Sequence, residues 1–317
     1  GAFFRDLTLP QPDFNLEVGS GTHAEQTAGV MVAYEKVAMR ERPDWIVVVG
    51  DVNSTAACAM VGTKLWFPGI HLEAGLRSGD RRMPEEINRL VTDAICDVLS
   101  TPSPDADENL AREGVPASKI DRVGNIMIDS FEMMREAIEA DGTREAMGLA
   151  PNAYAVVTLH RPSNVDRRED LEPLVRQLVK VSRELPLVFA THPRTRKKLE
   201  EFKLLGALAE GHMTLTEPLG YTQFMNLVCG SRAVVTDSGG VQEESTYLGI
   251  PCLTLRDNTE RPITVTEGSN RLVTTADLYA QVQEVLASRW PVGRRPALWD
   301  GATAQRCVHA LRTRIGV

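Results

Sequence analysis

Short apolar runs without polar alternation recur along this chain, separated by stretches of helical length. Trp45-Ile46-Val47-Val48-Val49 is rich in β-branched residues, the pattern of a strand buried on both faces of a parallel sheet. Tyr154-Ala155-Val156-Val157-Thr158-Leu159, Leu187-Val188-Phe189-Ala190 and Ala233-Val234-Val235-Thr236 have the same character, and Gly69-Ile70-His71-Leu72 is a further apolar strand. Amphipathic stretches at 170–182 and 278–288 predict helices, as do 130–139 and 303–314. Pro84 opens another, with Glu85 and Glu86 in its first turn. Strand, helix, strand, helix is the order of an α/β protein with parallel sheets. A chain of 317 residues is too long for one ordinary core, so two domains are expected. Breaks at Ala140-Asp141-Gly142-Thr143 and Gly148-Leu149-Ala150-Pro151-Asn152 precede the strand at Tyr154. They place the domains at 1–150 and 151–302, with the last helix, in 303–317, able to rejoin the first domain or to pack on the second.

Composition narrows the class. Hydrophobic residues make up 43% and charged residues 25%, the mix of a soluble globular protein. No apolar run approaches the roughly 18–20 residues of a membrane span. Gly1-Ala2-Phe3-Phe4 lacks the basic start and apolar region of a signal peptide. The sequence has no initiator Met, so the natural N-terminus is expected upstream. A net charge of -8 argues against nucleic acid as a partner, because phosphate-backbone affinity rests on clustered Lys and Arg. The short basic run Arg194-Thr195-Arg196-Lys197-Lys198 reads as a solvated helix start. Cys58, Cys96, Cys229, Cys252 and Cys307 form no Cys-x-x-Cys pair, which suits a reducing cytoplasm. The histidines form no His-x-x-x-His pair, so no metal site is expected.

Candidate chemistry sits where the apolar strands end, the edge at which open α/β sheets bind ligands. Val49-Gly50-Asp51 leads into a helix start at Asn53, and Thr236-Asp237-Ser238-Gly239-Gly240 leads into Val241-Gln242-Glu243-Glu244. Ser238-Gly239-Gly240 suits an anion cradle, with close backbone approach and a helix N-terminus aimed at a phosphate; the alternative is an ordinary Gly-rich turn. Glu244, about one turn into that helix, suits a ribose diol, because an ionised carboxylate accepts from both hydroxyls. It reads equally as a helix-dipole partner. Neither a Walker A pattern nor Gly-x-Gly-x-x-Gly is present. Glu73 follows the strand ending at Leu72, so Asp51, Glu73 and Glu85 are expected to meet in one cleft, where like charges push pKa values apart. His160 and Arg161, and His192 before Pro193-Arg194, end two further strands; each is structural or catalytic by position alone.

Taken together, His71-Leu72-Glu73-Ala74-Gly75-Leu76-Arg77, Pro84-Glu85-Glu86-Ile87-Asn88-Arg89, Leu159-His160-Arg161, Thr236-Asp237-Ser238-Gly239-Gly240-Val241-Gln242-Glu243-Glu244 and Arg256-Asp257-Asn258-Thr259-Glu260-Arg261-Pro262 resemble the non-hydrolysing UDP-N-acetylglucosamine 2-epimerases. The motifs occur in the family's order and span nearly the whole chain. The resemblance implies two Rossmann-like domains with a cleft between them, as in GT-B glycosyltransferases, a UDP-sugar substrate, and a homodimer. It implies C2 inversion of UDP-GlcNAc to UDP-ManNAc by elimination and re-addition of UDP, with no cofactor. By position, Asp51, Glu73, Glu85 and His160 match the catalytic group, and Arg89 its active-site arginine. Ser238, Gly239, Gly240 and Glu244 match the UDP site, and Arg261 a residue near it. Some bacterial members bind a second UDP-GlcNAc as activator, for which Gln26, Glu86, Arg161 and His192 are the candidate positions.

One feature departs from the family. Its members begin with a strand and a Gly-rich turn carrying an Arg and a Lys, whereas Asp13-Phe14-Asn15-Leu16 already matches later family sequence. Either the sequence given omits that segment or the protein lacks it. Three rival functions stand beside the first: a hydrolysing relative releasing UDP and ManNAc, an epimerase for a 2,3-diacetamido uronic acid UDP-sugar, and an inactive UDP-sugar-binding protein.

Overall fold

The computed structural model describes residues 10–315. The reading of Gly1–Phe4 therefore lies outside the described residues. The chain divides into two compact units, one comprising Pro10–Asp129 together with the chain from Ala297 onward, the other Ser130–Pro296.

In the first unit, α1 (His23–Glu41), β1 (Ile46–Val49), α2 (Asn53–Lys64), β2 (Gly69–Leu72), α3 (Pro84–Ile95), β3 (Val98–Thr101), α4 (Pro104–Arg112) and β4 (Ile120–Arg122) alternate. The strands form one parallel sheet in the order β1-β2-β3-β4. Thr22 starts α1 with a capping box: its hydroxyl accepts from Glu25 N at 3.2 Å, and the Glu25 carboxylate accepts from Thr22 N at 2.8 Å. β2 and β3 are buried along their length, but β1 alternates. Val47 is 55% and Val49 48% exposed, which corrects the expectation of a strand buried on both faces. Ile46 and Val48 are buried on one face, while the face of Val47 and Val49 is left largely open, in a strand that ends the sheet among the described residues. Val47, Ile70, Leu72 and Val98 line an apolar cavity of about 260 Å³ with Cys307 and Val308 of the last helix.

The second unit runs from α5 (Ile126–Ala140, which straddles the division) through β5 (Ala155–Thr158), α6 (Arg168–Ser182), β6 (Leu187–Ala190), α7 (Pro193–Glu201), β7 (Met213–Thr216), α8 (Tyr221–Gly230), β8 (Ala233–Thr236), α9 (Gly239–Leu248), β9 (Cys252–Thr254), β10 (Asn270–Leu272) and α10 (Leu278–Leu286). Its six strands are all parallel, in the order β10-β9-β8-β5-β6-β7. Val156, Val157, Val234 and Val235 in the central strands are fully buried, as continuous apolar runs require when helices cover both faces.

The division falls before the expected boundary at 150. Residues after Ser130 are tied to the second unit: the Phe131 and Tyr247 rings meet edge-on at 5.8 Å, and the Tyr247 hydroxyl donates to Glu132. The Asn226 amide donates to the Ile138 and Asp141 carbonyls at 3.0 and 2.7 Å. The final helix, α11 (Thr303–Ile315), belongs to the first unit. Asp129 accepts from Thr303 N and Ala304 N at 3.0 and 2.7 Å, which caps its first turn, and Trp299 donates to the Pro102 carbonyl at 3.1 Å. The chain is thus an α/β protein with two Rossmann-like parallel sheets.

Candidate functional site

Each unit gathers polar groups at the carboxyl edge of its sheet. In the first, Gly50 turns the chain after β1 with φ +69, a left-handed conformation that suits glycine, and Asp51 follows. Arg89, on α3 and only 2% exposed, donates from Nε and Nη2 to Asp51 Oδ2 at 3.0 and 2.6 Å and from Nη1 to Glu86 Oε2 at 2.7 Å. The i, i+3 spacing puts Glu86 and Arg89 on one helix face. Asn88 donates to the Asp51 carbonyl at 2.9 Å, so two successive α3 residues fix the turn after β1. Asp51, Asn53, Glu85, Asn88, His23 and Gln26 line a cavity of about 310 Å³.

The structure thus brings Asp51 and Glu85 together. Glu73 lies at the end of β2 but is not among the residues lining that cavity. Its φ of +69 is uncommon for a residue with a Cβ and costly to hold. Glu86 is buried and accepts from Ser78 N at 2.9 Å, Ser78 Oγ at 3.1 Å and Gly79 N at 2.9 Å, besides Arg89. It therefore anchors the loop before α3. Behind the edge, buried His71 places Nε2 at 2.8 Å from the Gly50 carbonyl and Nδ1 at 2.5 Å from Asp93. Burial pushes the Asp93 carboxyl up, but His71 and Arg77 outweigh it and hold it below the usual range.

In the second unit, β5 pairs with β8 so that Thr158 lies opposite Thr236. The next residues on each strand therefore meet. Asp237, fully buried, accepts from His160 N at 3.1 Å, Arg161 N at 2.9 Å and Asn164 Nδ2 at 2.9 Å. His160 Nδ1 lies 3.0 Å from Asp237 Oδ1. Burial pushes the Asp237 carboxyl up, yet the His160 hydrogen bond and charge, with Asn164 and Arg161, hold it below its ordinary range. The His160 and His192 rings are 5.6 Å apart; burial, with His160 beside it, lowers the His192 pKa. On α7 the basic run is largely ion-paired, Arg194 with Asp166, Arg196 with Glu200 and Lys198 with Glu201.

Ser238 caps α9 without a side-chain bond to the helix, and Ser238 N donates to Thr236 Oγ1 at 3.0 Å. The first helical N–H groups of α9 have no intrahelical acceptor. A Cβ on Gly239 would lie 2.9 Å from Arg261 Nη1 and 3.0 Å from Glu260 Oε1, so any larger residue would push these side chains back from the turn. Arg261 pairs with Glu260 at 2.7 Å and Glu243 at 2.6 Å, Arg256 pairs with Glu260 at 2.8 Å, and Arg161 lies 3.8 Å from Glu260. Three guanidinium groups thus gather with Glu243 and Glu260 beside the turn. Burial pushes the Glu260 carboxyl up, but the Arg261 and Arg256 charges bring it down to about 2. Glu244 has no such partner. It is 4% exposed, burial pushes its pKa up to about 7, and only the Tyr221 hydroxyl, donating to Oε1 at 2.7 Å, opposes the shift.

Sequence reasoning placed Ser238, Gly239, Gly240, Glu244 and Arg261 at this edge, and the structure brings Gly239 and Arg261 into contact. It did not single out Asp237 as the residue that fixes His160, nor Tyr221 and Glu260. The Asp237 signal was present in the strand-end run Thr236-Asp237. Tyr221 had none, because its partner lies 23 positions away. Among the described residues no group of three or more His, Cys, Asp and Glu side chains is placed to hold a metal ion, and no helix is long and apolar enough to cross a membrane.

A family model described as UDP-N-acetylglucosamine 2-epimerase matches residues 1–312. The chain is 44% identical, over 277 residues, to a UDP-N-acetylglucosamine 2-epimerase of Methanocaldococcus jannaschii, covering 86% of this chain and 76% of that protein. It is 40% identical to a UDP-2,3-diacetamido-2,3-dideoxy-D-glucuronate 2-epimerase of Pseudomonas aeruginosa, covering 86% and 76%. Among solved structures, the Methanocaldococcus jannaschii UDP-GlcNAc 2-epimerase in complex with UDP-GlcNAc and UDP superposes with a TM-score of 0.89 at 41% identity, covering 98% of this chain and 87% of that one. The Neisseria meningitidis enzyme bound to UDP-GlcNAc gives 0.88 at 25% identity, covering 98% and 87%.

Proposed function

The chain belongs to the UDP-N-acetylglucosamine 2-epimerase family, and we propose that it interconverts UDP-N-acetylglucosamine and UDP-N-acetylmannosamine by elimination and re-addition of UDP. The observation that carries this reading is the pairing of Asp51 and Glu85 around one cavity, with Asp51 held by the buried Arg89. In the forward direction a carboxylate takes the C2 proton as the C1–O bond breaks and UDP leaves, giving a glycal. The proton then returns to the opposite face of C2 as a UDP oxygen re-forms the bond to C1. Negative charge builds on the departing diphosphate. The open start of α9 and the Arg161, Arg256 and Arg261 cluster supply donors and positive charge for it. A carboxylate also stabilises positive character on the ring, and His160, steadied by Asp237, serves as a proton donor or acceptor. Hydrogen moves only as a proton, so the route uses no redox cofactor. Asp51, Glu73, Glu85 and His160 are the proposed catalytic group. Gln26, Glu86, Arg161 and His192 are the positions at which a second UDP-sugar would act as activator. The protein works as a cytoplasmic homodimer that supplies a precursor for cell-surface polysaccharide.

Turnover in deuterated water tests the chemistry. Deuterium is expected at C2 of both UDP-sugars; retention of the original C2 hydrogen in every product would sink the elimination route. Following free UDP in the same reaction separates a non-hydrolysing from a hydrolysing enzyme. A second reading is favoured by the 40% identity to the diacetamido-glucuronate epimerase, and assaying both UDP-sugars side by side decides between the substrates.

A further inference from the structure

The second-unit edge contains one buried acid whose sole hydrogen-bond partner among the described residues is a neutral hydroxyl. Glu244 sits in the second turn of α9, and Tyr221 is the first residue of α8, immediately after the Glu217-Pro218-Leu219-Gly220 loop that leaves β7. The Tyr221 hydroxyl donates to Glu244 Oε1 at 2.7 Å. Every other buried acid at this edge is held by cations or by several donors: Glu260 by Arg256 and Arg261, Glu243 by Arg261, Asp237 by three N–H groups and His160. Glu244 alone is left to a partner that carries no charge.

That difference has two consequences. A tyrosine rigid to its ring fixes the carboxylate plane by holding one oxygen, so the other oxygen keeps one direction available to a ligand hydroxyl. A neutral donor also does not neutralise the carboxylate, so binding chemistry that presents further hydroxyl donors supplies what the site lacks. A vicinal diol offers two such donors, and an ionised carboxylate has lone pairs for both beside the tyrosine.

We propose that Tyr221 is the positioning residue of the Glu244 carboxylate, and that the pair selects ribonucleotides over 2′-deoxyribonucleotides. The inference rests on the assignment of Glu244 to the nucleotide of the UDP-sugar. Tyr221 acts through Glu244. Two readouts belong to this role and not to a packing role. The first is the preference for UDP over 2′-deoxy-UDP, which lacks one diol donor. The second is the pH at which UDP affinity changes. Glu244 must be ionised to accept from both hydroxyls, so affinity for UDP rises as pH climbs through about 7. The Tyr221 hydrogen bond favours the ionised form, so its removal moves the midpoint to higher pH.

Calorimetric titration of the whole protein with UDP and with 2′-deoxy-UDP, from about pH 6 to about pH 8.5, tests this on wild type, Tyr221→Phe and Glu244→Ala. Tyr221→Phe is expected to weaken UDP binding at neutral pH by about 3- to 10-fold, in line with loss of one hydrogen bond to a charged group, to narrow the UDP preference, and to move the midpoint upward. An unchanged preference and midpoint in Tyr221→Phe, with Glu244→Ala binding UDP weakly, overturns the positioning role and leaves the nucleotide assignment standing. Normal UDP binding by Glu244→Ala overturns the assignment itself. Should Tyr221→Phe misfold, Tyr221→Leu repeats the test without the hydroxyl, and wild type checks the selection of ribose. The wild-type preference for UDP over 2′-deoxy-UDP is expected to widen as pH rises, and the absence of any preference overturns the proposal.

Discussion

Both units end parallel strands in acids, yet the two edges treat those acids differently. In the first, Asp51 and Glu86 share one buried guanidinium, and every charge in that chain of contacts has an opposite neighbour. In the second, Glu260 and Glu244 are equally deep, 3% and 4% exposed, but one is held at about 2 and the other pushed up to about 7. Depth is common to both, so it cannot be the cause. The partner decides: two arginines keep Glu260 ionised against its burial, and a phenol is too weak to do so for Glu244. A buried acid beside arginine is a fixed charge, and a buried acid beside a hydroxyl exchanges its proton near neutrality.

The comparison breaks hardest at Arg89. Arg89→Met removes the cation that two acids share and leaves Glu86 buried without a counter-ion, at an expected cost of about 3–5 kcal/mol. Urea unfolding of the variant measures it, and a loss within error of zero would mean that the pairs contribute nothing. Next come Asp51→Asn and Glu85→Gln, which keep shape and remove charge. Their kcat is expected to fall by about 100-fold or more, with UDP affinity little changed. The competing account makes both helix-start residues only, since Asp51 precedes α2 and Glu85 lies in the first turn of α3. Such a loss costs about 0.5–2 kcal/mol of stability and need not touch kcat; a variant that melts early but turns over normally would leave the catalytic list.

Smaller effects sharpen the second edge. Gly239→Ala sets a methyl group against Arg261 and Glu260, and is expected to cost about 1–2 kcal/mol of UDP affinity as the arginine is displaced. Calorimetry at one pH reads this directly, and unchanged affinity would detach the arginine from the diphosphate. The smallest effect concerns stability. Glu244 has a folded-state pKa above its ordinary value, so its contribution is complete below the usual carboxylate range and is lost as pH rises through about 7. Between about pH 5 and pH 8 the Tm of unliganded wild type should therefore fall by a few degrees relative to Glu244→Gln. Parallel melting curves for the two proteins would contradict the raised value.

Much of this was legible in the residues. Leu187–Ala190 and Ala233–Thr236 form strands at the bounds their apolar runs suggest, because a strand covered on both faces has no polar positions to blur it. β9 and β10, three residues each, are too short for any period to show. β1 misled because β-branched content reports strand formation but not whether a neighbour covers it. Asp51 was legible as a strand-end residue and Glu85 as a first-turn residue, whereas Arg89 came from the family resemblance alone. Glu73 was placed by the same strand-end rule, after β2, but its left-handed backbone angle had no signal in composition. The Tyr221–Glu244 contact joins the starts of two helices that follow different strands, and no local pattern announces such a meeting.

Asp237 carries a consequence for how this sequence can change over time. Its carboxylate receives donors from the loop after β5 while its own backbone begins the turn at Ser238. The imidazole and the glycine turn are therefore inherited as one trait. A substitution that shifts the 160–164 loop by a few tenths of an ångström pulls on the same carboxylate that sets where α9 begins, and effects at the two loops will not add. The start of α7 is drawn into the same unit, because Thr195 donates to the Leu159 carbonyl and the His192 ring lies against His160.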